Sequence, residues 1–245
     1  MKKIEKSHKI QIFIIQNIPQ HPSDVVALTM EQFKISRPAV HKHINHLIKS
    51  NKVQKAGTTR KARYQVLRER IWKIKIHPSL QEDEVFEKYI APDLLNLPEN
   101  IQKICAYGFT EMFNNVIDHS QATEATVTLD LSENIICISI HDNGIGIFKK
   151  IQRALSLTDI KESALHLSKG KFTTDPSRHS GEGVFFTSRA FEEFSIISGD
   201  LNYICFAEDH DWLIQTIETT PYLGTQLIFK ISKTSKKDLV QVFKE

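Results

Sequence analysis

The sequence predicts an α+β protein of two domains: a small helical domain with a hairpin, followed by a two-layer α/β sandwich on a mixed, mostly antiparallel sheet. Its 245 residues exceed the roughly 100 to 150 of a common domain. Residues 1–75 contain 17 Lys/Arg and 4 Asp/Glu, whereas residues 76–245 contain 15 and 25, so a basic module precedes an acidic one. Apolar residues recur mainly at helical spacing in the first module and alternate as in strands through much of the second. The predicted ranges are 1–70 and 81–233 for the domains, 71–80 for the linker, and 234–245 for the start of a C-terminal helix or a truncated further domain.

Three helices are predicted in the basic module. The first is centred on apolar residues at helical spacing in 10–18, and the second covers about 23–33, with Ser23 as its N-cap. After a tight turn at 34–36, Ser36 is placed to cap the third helix. The apolar stripe of that third helix consists of Val40, Ile44, Leu47 and Ile48.

A basic hairpin follows the third helix. Residues 53–55 and 60–66 are predicted strands around the turn Gly57-Thr58-Thr59. The segment from about 10 to 66 resembles bacterial winged helix-turn-helix domains, including Ser-Arg-Pro-Ala-Val at the start of the third helix. The resemblance implies that this helix enters the DNA major groove. The DNA-binding residues predicted are Arg37, His41, Lys42, Asn45, Lys55, Arg60, Lys61 and Arg63.

Double-stranded DNA is the expected partner of this module, because basic charge concentrated in a small domain favours a polyanion. The alternative is a protein-docking or dimerisation module whose charges are only a solvated face. A homodimer is plausible on the same resemblance, since winged helices commonly bind two-fold sites. A metal site at His41, His43 and His46 is disfavoured because these side chains point to different faces of the helix.

Cysteine use and hydropathy indicate the compartment. Cys105, Cys137 and Cys205 are odd in number and widely spaced, so neither a disulfide framework nor a zinc cluster is indicated. No stretch approaches the roughly 18 apolar residues that span a bilayer, and the first 19 residues lack a small-residue cleavage site. We therefore expect a cytoplasmic protein without a membrane partner.

The second module begins with predicted helices at about 81–90 and 99–119. In the latter, Glu111, Asn115 and Asp118 are spaced by four and three residues, which places them on one helical face. An asparagine amide oxygen can bind Mg²⁺, and a carboxylate one turn away can activate water. Taken alone, the pattern is explained better by an ordinary exposed face.

A strand hairpin at 125–131 and 135–141 carries the next motif. Its second strand delivers Asp142 to the strand end, where a buried carboxylate can accept a hydrogen bond from an adenine amino group. Gly144 and Gly146 follow and allow backbone to approach a planar ligand. The motif differs from a P-loop, since no Gly-Lys-Ser/Thr follows, and from a dinucleotide fingerprint, since Lys149 replaces the third glycine.

Phosphate-binding features come later in the chain. The basic, hydroxyl-rich segment 169–179 is suited to a mobile lid. Gly181-Glu182-Gly183 then begins a helix at 184–194, whose N-terminal amides favour a phosphate group. Strands are predicted at 194–198, 203–208, 212–219 and 225–231, the last opened by Gly224-Thr225.

Together these motifs resemble the Bergerat-fold (GHKL) ATP-binding domain shared by gyrase, a heat-shock chaperone family, histidine kinases and mismatch-repair ATPases, over about 86–231. The resemblance implies ATP and Mg²⁺ as cofactors, Asn115 as the metal ligand, Asp142 as the adenine anchor and Glu111 as the catalytic residue of hydrolysing members. The ATP-binding residues that it implies are Asn115, Asp118, Asp142, Gly144, Gly146, Ile147, Thr173, Thr174, Ser180, Gly181, Glu182, Gly183, Val184 and Thr225.

The whole chain resembles bacterial proteins that place a winged helix before such a domain. The stretches Lys-Gly-Lys-Phe-Thr-Thr-Asp-Pro (169–176) and His-Ser-Gly-Glu-Gly-Val-Phe-Phe-Thr-Ser (179–188) are typical of them. These relatives often continue into a small STAS-like domain. Here Ser235-Lys236-Lys237-Asp238 resembles a capping box that opens a helix.

Three activities are compatible with these motifs. We favour a transcriptional regulator whose DNA-binding module is coupled to an ATP/Mg²⁺ pocket with a mobile lid. The alternatives are a slow ATPase switch and a serine/threonine kinase acting on a regulatory protein partner, like anti-sigma-factor kinases; Glu111 is compatible with both. A classical histidine kinase is disfavoured because no dimerising helical hairpin with a phosphoacceptor precedes the domain, and His119 is better explained by packing.

Overall fold

The computed structural model describes residues 2–50, 52–58, 62–67, 69–132, 134–168, 182–206, 212–217 and 222–244. The chain divides into two units, residues 1–70 and residues 71–245. Each unit has its own hydrophobic core. Each is therefore described by itself.

The described residues of the first unit form three helices and a two-stranded sheet: α1 (Lys2–Asn17), α2 (Val25–Phe33), α3 (Arg37–Lys49), β1 (Val53–Ala56) and β2 (Arg63–Val66). The strands pair in antiparallel fashion. The three helices pack on one another, and α3 also packs on β1. The core between these elements includes Ile14, Ile18, Val25, Val40, Ile44, Leu47, Val53 and Tyr64.

The starts of α2 and α3 differ from each other. Ser36 is the N-cap residue of α3, as predicted, although its side chain makes no capping hydrogen bond in the described structure. The predicted Ser23 cap of α2 is wrong, because Asp24 occupies the N-cap position. The cause is a preceding turn in which the Val25 amide donates to the His21 carbonyl at 3.1 Å, so the helix begins later.

A seven-stranded sheet is the centre of the second unit. The first strand, β3 (Glu69–Lys75), begins two residues before the boundary between the units. The other strands are β4 (Glu124–Leu131), β5 (Ile135–Asp142), β6 (Glu193–Gly199), β7 (Leu201–Phe206), β8 (Trp212–Thr216) and β9 (Tyr222–Ser232). The spatial order is β3-β4-β5-β9-β6-β7-β8, so the last strand lies in the middle. The pairings from β4 across to β8 are all antiparallel.

Helices form the second layer. They are α4 (Glu82–Tyr89), α5 (Ala91–Leu94), α6 (Glu99–His119), α7 (Ile147–Leu155), α8 (Ile160–Ser168), α9 (Gly183–Ala190) and α10 (Leu239–Val242). Helices α6 to α9 contact the sheet. Alternate residues of the strands, such as Ile136, Ile138 and Ile140 of β5, are fully buried in the core. The predicted α+β class with an antiparallel sheet is thereby confirmed.

Most predicted elements of the second unit are present. The helix at 99–119 has the predicted bounds, and both strands of the hairpin end within one residue of the prediction. The predicted capping box at Ser235 is wrong: the Asp238 carboxylate accepts the Val240 amide at 2.7 Å and caps α10. The Ser235 hydroxyl instead accepts the Lys237 amide at 3.5 Å, two residues before the helix begins.

Within the part of the chain that the structure describes, no helix combines the length and hydropathy required to cross a membrane.

Candidate nucleotide-binding site

Asp142 is a buried carboxylate at the end of β5. Its side chain is only 2% exposed, and its Oδ1 accepts the Gly144 amide at 2.8 Å. Burial raises the pKa of Asp142, while hydrogen bonds from the backbone amides of Gly144 and Thr225 and the nearby His141 act in the opposite direction. Such a carboxylate can accept a hydrogen bond from a ligand with high selectivity, because an unmatched partner would leave it buried and unpaired.

Glycines bring two backbone segments together beside Asp142. Gly224 opens the inner part of β9 with φ of 76°, and a Cβ on it would lie 1.9 Å from the Asp142 carbonyl oxygen. Gly146 has φ of 85°, and a Cβ there would lie 2.5 Å from the Ser198 hydroxyl. Both positions therefore require glycine on steric and conformational grounds.

Thr225 and Ser198 complete this side of the site. The Thr225 hydroxyl accepts the Ile147 amide at 2.9 Å, and the Ser198 hydroxyl donates to the Gly224 carbonyl at 2.8 Å. The structure thus brings the predicted residues Ile147 and Thr225 next to Asp142. Sequence reasoning missed Ser198; the signal was a small polar residue on the strand face that otherwise presents Phe194 and Ile196 to the core.

The C-terminal end of α6 is joined to the glycine loop. The Ile145 amide donates to the Ser120 carbonyl at 2.9 Å, and a Cβ on Gly144 would lie 2.1 Å from that same carbonyl oxygen. The Lys150 ammonium donates to the His119 carbonyl at 2.9 Å. These contacts fix the helix that carries Asn115 against the loop that follows Asp142. Sequence reasoning missed Ser120 and Lys150, whose roles depend on backbone atoms distant in sequence.

The polar face of α6 meets the start of α9. Glu111 and Asn115 are partly buried and Asp118 is exposed. A Cβ on Gly183 would lie 2.3 Å from the Glu111 carboxylate oxygen, so the first turn of α9 contacts Glu111 directly. Asn115 lies one helical turn from Glu111 on this face of α6.

A small acidic cluster lies at this contact. Burial raises the pKa of the Tyr107 hydroxyl, and the carboxylates of Glu111 and Glu182 add to that effect. Glu182 is the N-cap residue of α9, and Val184 is buried in its first turn. Backbone amides at a helix N-terminus favour an anion, whereas the carboxylates disfavour one that arrives without a cation.

A magnesium ion fits these donors. The described residues contain no group of three or more His, Cys, Asp or Glu side chains able to hold a metal by themselves. Mg²⁺ usually keeps several waters and binds one or two protein oxygens together with ligand phosphates. The Asn115 amide, with Glu111 one turn away, suits that mode and would need a phosphate-bearing ligand to complete it.

Some predicted ATP-site residues are not placed. Thr173, Thr174, Ser180 and Gly181, with the predicted lid at 169–179, lie outside the described residues.

The predicted DNA-contacting residues lie in the first unit. Arg37, Lys42 and Asn45 are exposed on α3 and His41 is partly buried. Lys55 of β1 lies opposite Tyr64, whereas Arg63 of β2 lies opposite Ala56. Because successive strand residues alternate, Lys55 and Arg63 point to opposite faces of the hairpin. Arg60 and Lys61 lie outside the described residues.

Comparisons with known proteins agree with this geometry for the second unit. A family model described as histidine kinase-, DNA gyrase B-, and HSP90-like ATPase matches residues 104–235, more than half of the chain. The matched range contains Glu111, Asn115, Asp142, Gly183 and Thr225. A comparison with curated proteins finds no match.

Proposed function

The chain belongs to the family of histidine kinase-, DNA gyrase B-, and HSP90-like ATPases, and on that premise we propose that it is a regulator that binds ATP with Mg²⁺ through Asp142, Asn115 and the start of α9. The observation that carries the proposal is the buried Asp142 carboxylate at the end of β5. Adenine presents an amino donor to such a carboxylate, whereas guanine presents a carbonyl oxygen at the equivalent ring position.

In this proposal, other residues of the site bind the triphosphate and Mg²⁺. The triphosphate extends toward the first turn of α9, whose amides favour phosphate. Asn115 lies on α6 between the two ends of the site and is the ligand for Mg²⁺, which neutralises phosphate charge. Predicted contacts from Thr173, Thr174, Ser180 and Gly181 belong to the same proposal.

The test is the Asp142→Asn variant, with Asp200→Asn as the matched control because Asp200 is an exposed turn aspartate. We expect Asp142→Asn to weaken ATP binding about ten- to a hundredfold, the typical effect of losing a hydrogen bond to a charged group. Preference for ATP over GTP should also shrink, because asparagine can donate to the guanine carbonyl. Calorimetric titration of both nucleotides measures this. Unchanged ATP affinity in Asp142→Asn would remove the basis of the proposal.

The first unit is the DNA-binding module in this proposal. We propose that residues 1–70 form a winged helix-turn-helix that binds double-stranded DNA as a dimer. Helices α2 and α3 are joined by a three-residue turn, and a basic hairpin follows them. Pro38, Lys42, Asn45 and Lys49 form the solvent-facing ridge of α3, which contains no acidic residue. ATP occupancy would then regulate DNA binding within one chain.

The salt dependence of binding to duplex DNA tests the proposal that the first unit binds DNA. The Arg37→Ala/Lys42→Ala double variant should weaken DNA binding, and each lost phosphate contact should lower the slope of log affinity against log salt by about 1. Lys73→Ala/Lys75→Ala removes the same charge from exposed positions of β3 and serves as control. Equal losses in both variants would mean that net charge alone attracts DNA; no loss in either would make the first unit a docking module.

Slow hydrolysis is a second candidate, and the contact between Glu111 and Gly183 favours it. That contact places a carboxylate at the end of the site assigned to the phosphates, where it can activate water. Incubation with terminally labelled ATP, with and without cell lysate, separates the outcomes. Free phosphate that disappears in Glu111→Gln indicates hydrolysis, a labelled protein indicates a kinase, and unchanged ATP indicates a sensor.

A further inference from the structure

Residues 235–244, called the C-terminal strap below, lie across α6 and α9. The Asn100 side-chain amide, at the start of α6, donates to the carbonyls of Ser235 and Lys237 at 3.0 Å each. The Lys237 ammonium donates to the carbonyls of Arg189 and Phe191, at the C-terminal end of α9. A cation at that end also complements the helix dipole. The strap therefore binds both helices by polar contacts.

Aromatic contacts continue the attachment. The Phe243 ring lies 5.1 Å from the Tyr107 ring of α6 at 75° and 5.2 Å from the Phe186 ring of α9 at 85°. Both are edge-to-face geometries, the favourable arrangement for aromatic pairs. The exposed side of the same short helix carries Val240, which is 62% exposed. Phe243 is itself 46% exposed, but its ring contacts one ring on each of the two helices, whereas Val242, 5% exposed, is the strap residue that lies in the core.

The position of α9 depends on this packing. It has only eight residues, and helices this short owe most of their stability to tertiary contacts. At one crossing, a Cβ on Gly108 would lie 2.3 Å from the Phe191 ring, so α9 and the residue that ends it pack closely on α6. At the other end Gly183 touches Glu111. A small rotation of α9 would change the distances between the amides of its first turn and the Glu111 carboxylate.

We propose that the C-terminal strap positions α9 for phosphate binding, with Phe243 as the positioning residue. This inference rests on the proposed ATP site. The strap contacts Asn100, Tyr107 and α9, whereas the setting of Asp142 is built from β5, β9 and the C-terminal end of α6. Phe243 therefore acts on the phosphate end and leaves adenine recognition unchanged.

The difference between the two ends provides the test. Phe243→Ala should weaken ATP binding about tenfold, the size expected when a helix N-terminus no longer faces an anion, and should leave adenosine binding unchanged. Phe243→Tyr keeps the ring and should restore ATP affinity. Val240→Ala removes apolar atoms from the same helix and should behave as wild type. Calorimetry measures ATP binding, and ligand-observed NMR measures the weaker adenosine binding.

Other outcomes contradict the inference specifically. Parallel losses of ATP and adenosine affinity in Phe243→Ala would mean that the strap only stabilises the fold, and unchanged ATP affinity would mean that it has no positioning role. If Phe243→Ala does not fold, Phe243→Leu, which keeps most of the apolar volume, replaces it. The loss of ATP affinity is then compared with the loss of adenosine affinity in the same way. Failure of the proposed ATP site would appear separately, as a wild-type protein that binds neither ligand.

Discussion

The two ends of the candidate site are built differently. The base end, around Asp142, consists of strand residues and a glycine loop held by buried hydrogen bonds from Gly144, Thr225 and Ser198. The phosphate end, around Glu111 and Gly183, consists of side chains and helix starts that meet across α6, α9 and the C-terminal strap. The base end is part of the sheet, whereas the phosphate end depends on how helices pack.

The difference in construction suits the two ends of the candidate site to different tasks. A contact built into the sheet changes only when the fold itself changes, so the base end suits a constant task such as selecting adenine. A contact between short helices shifts with modest free energy, since such packing has alternative arrangements. Substitutions at the base end should therefore reduce stability and binding together, and those at the phosphate end should reduce binding alone.

The largest expected effect is that of Gly224→Ala. A methyl group there clashes with the Asp142 carbonyl at a positive φ, so we expect the free energy of unfolding to fall by about 3 kcal/mol or more. Gly199→Ala is the control, because φ is 63° but no described atom lies within 4 Å of the added Cβ; about 1 kcal/mol is expected there. Both tryptophans, Trp72 and Trp212, lie in the second unit, so their fluorescence in urea reports its unfolding. Equal losses would contradict the steric account.

Gly183→Ala should have a smaller effect and a different kind of effect. The methyl group would displace the flexible end of the Glu111 side chain, which should lower ATP affinity about tenfold while changing the free energy of unfolding by no more than about 1 kcal/mol. In Gly183→Ala/Glu111→Ala the nearest remaining Glu111 atom is Cβ at 3.7 Å, so the clash is gone and ATP affinity should equal that of Glu111→Ala alone. A double-mutant cycle of ATP titrations measures the coupling. Additive losses would show that the two residues do not interact.

Lys150→Met tests the bond that holds the C-terminal end of α6 against the first turn of α7. Loss of the ammonium from the His119 carbonyl should lower the free energy of unfolding by about 1 kcal/mol. Lys149→Met is the control, since Lys149 is exposed on the same helical turn. Denaturation followed by tryptophan fluorescence compares them, and identical midpoints would mean that the α6 end is held by Ser120 alone.

The smallest effect concerns pH. Burial raises the pKa of Asp142 above its unfolded value, so between these two pKa values the folded protein binds more protons than the unfolded chain. Its contribution to stability therefore falls as pH rises through that window. ATP affinity should show the opposite trend and decrease on acidification, beginning above the pH at which an ordinary aspartate titrates. Asp142→Asn should abolish both trends; pH profiles that match the wild type would assign them to another group.

Sequence patterns predicted the elements better than their contacts. Helix α6 and the hairpin of β4 and β5 were predictable because their apolar periodicities are long and uninterrupted. Asp142 and its glycines were predictable because strand ends and backbone requirements leave local signals. The cap position at Asp24 was missed because the preceding turn selects where α2 begins. The cap at Asp238 was missed because Ser235 offered a competing N-cap, although aspartate is a preferred capping residue.

The part of the site that sequence patterns did not predict consists of long-range contacts. Ser120 acts through a backbone carbonyl, and Phe243 reaches Tyr107 from more than 130 positions away. Neither has a local signature, since each role exists only after helices have packed. The opposite orientation of Lys55 and Arg63 likewise required the register of β1 and β2.

The central place of β9 also determines when the site can form during synthesis. The hairpin of β4 and β5 and the meander of β6 to β8 pair locally in sequence, and local contacts form early. Strand β9 joins these two halves and brings Gly224 and Thr225 to Asp142. A nascent chain without β9 therefore lacks the residues that flank Asp142 from that strand, so the proposed adenine site can form only after β9, which ends at Ser232, has been synthesised.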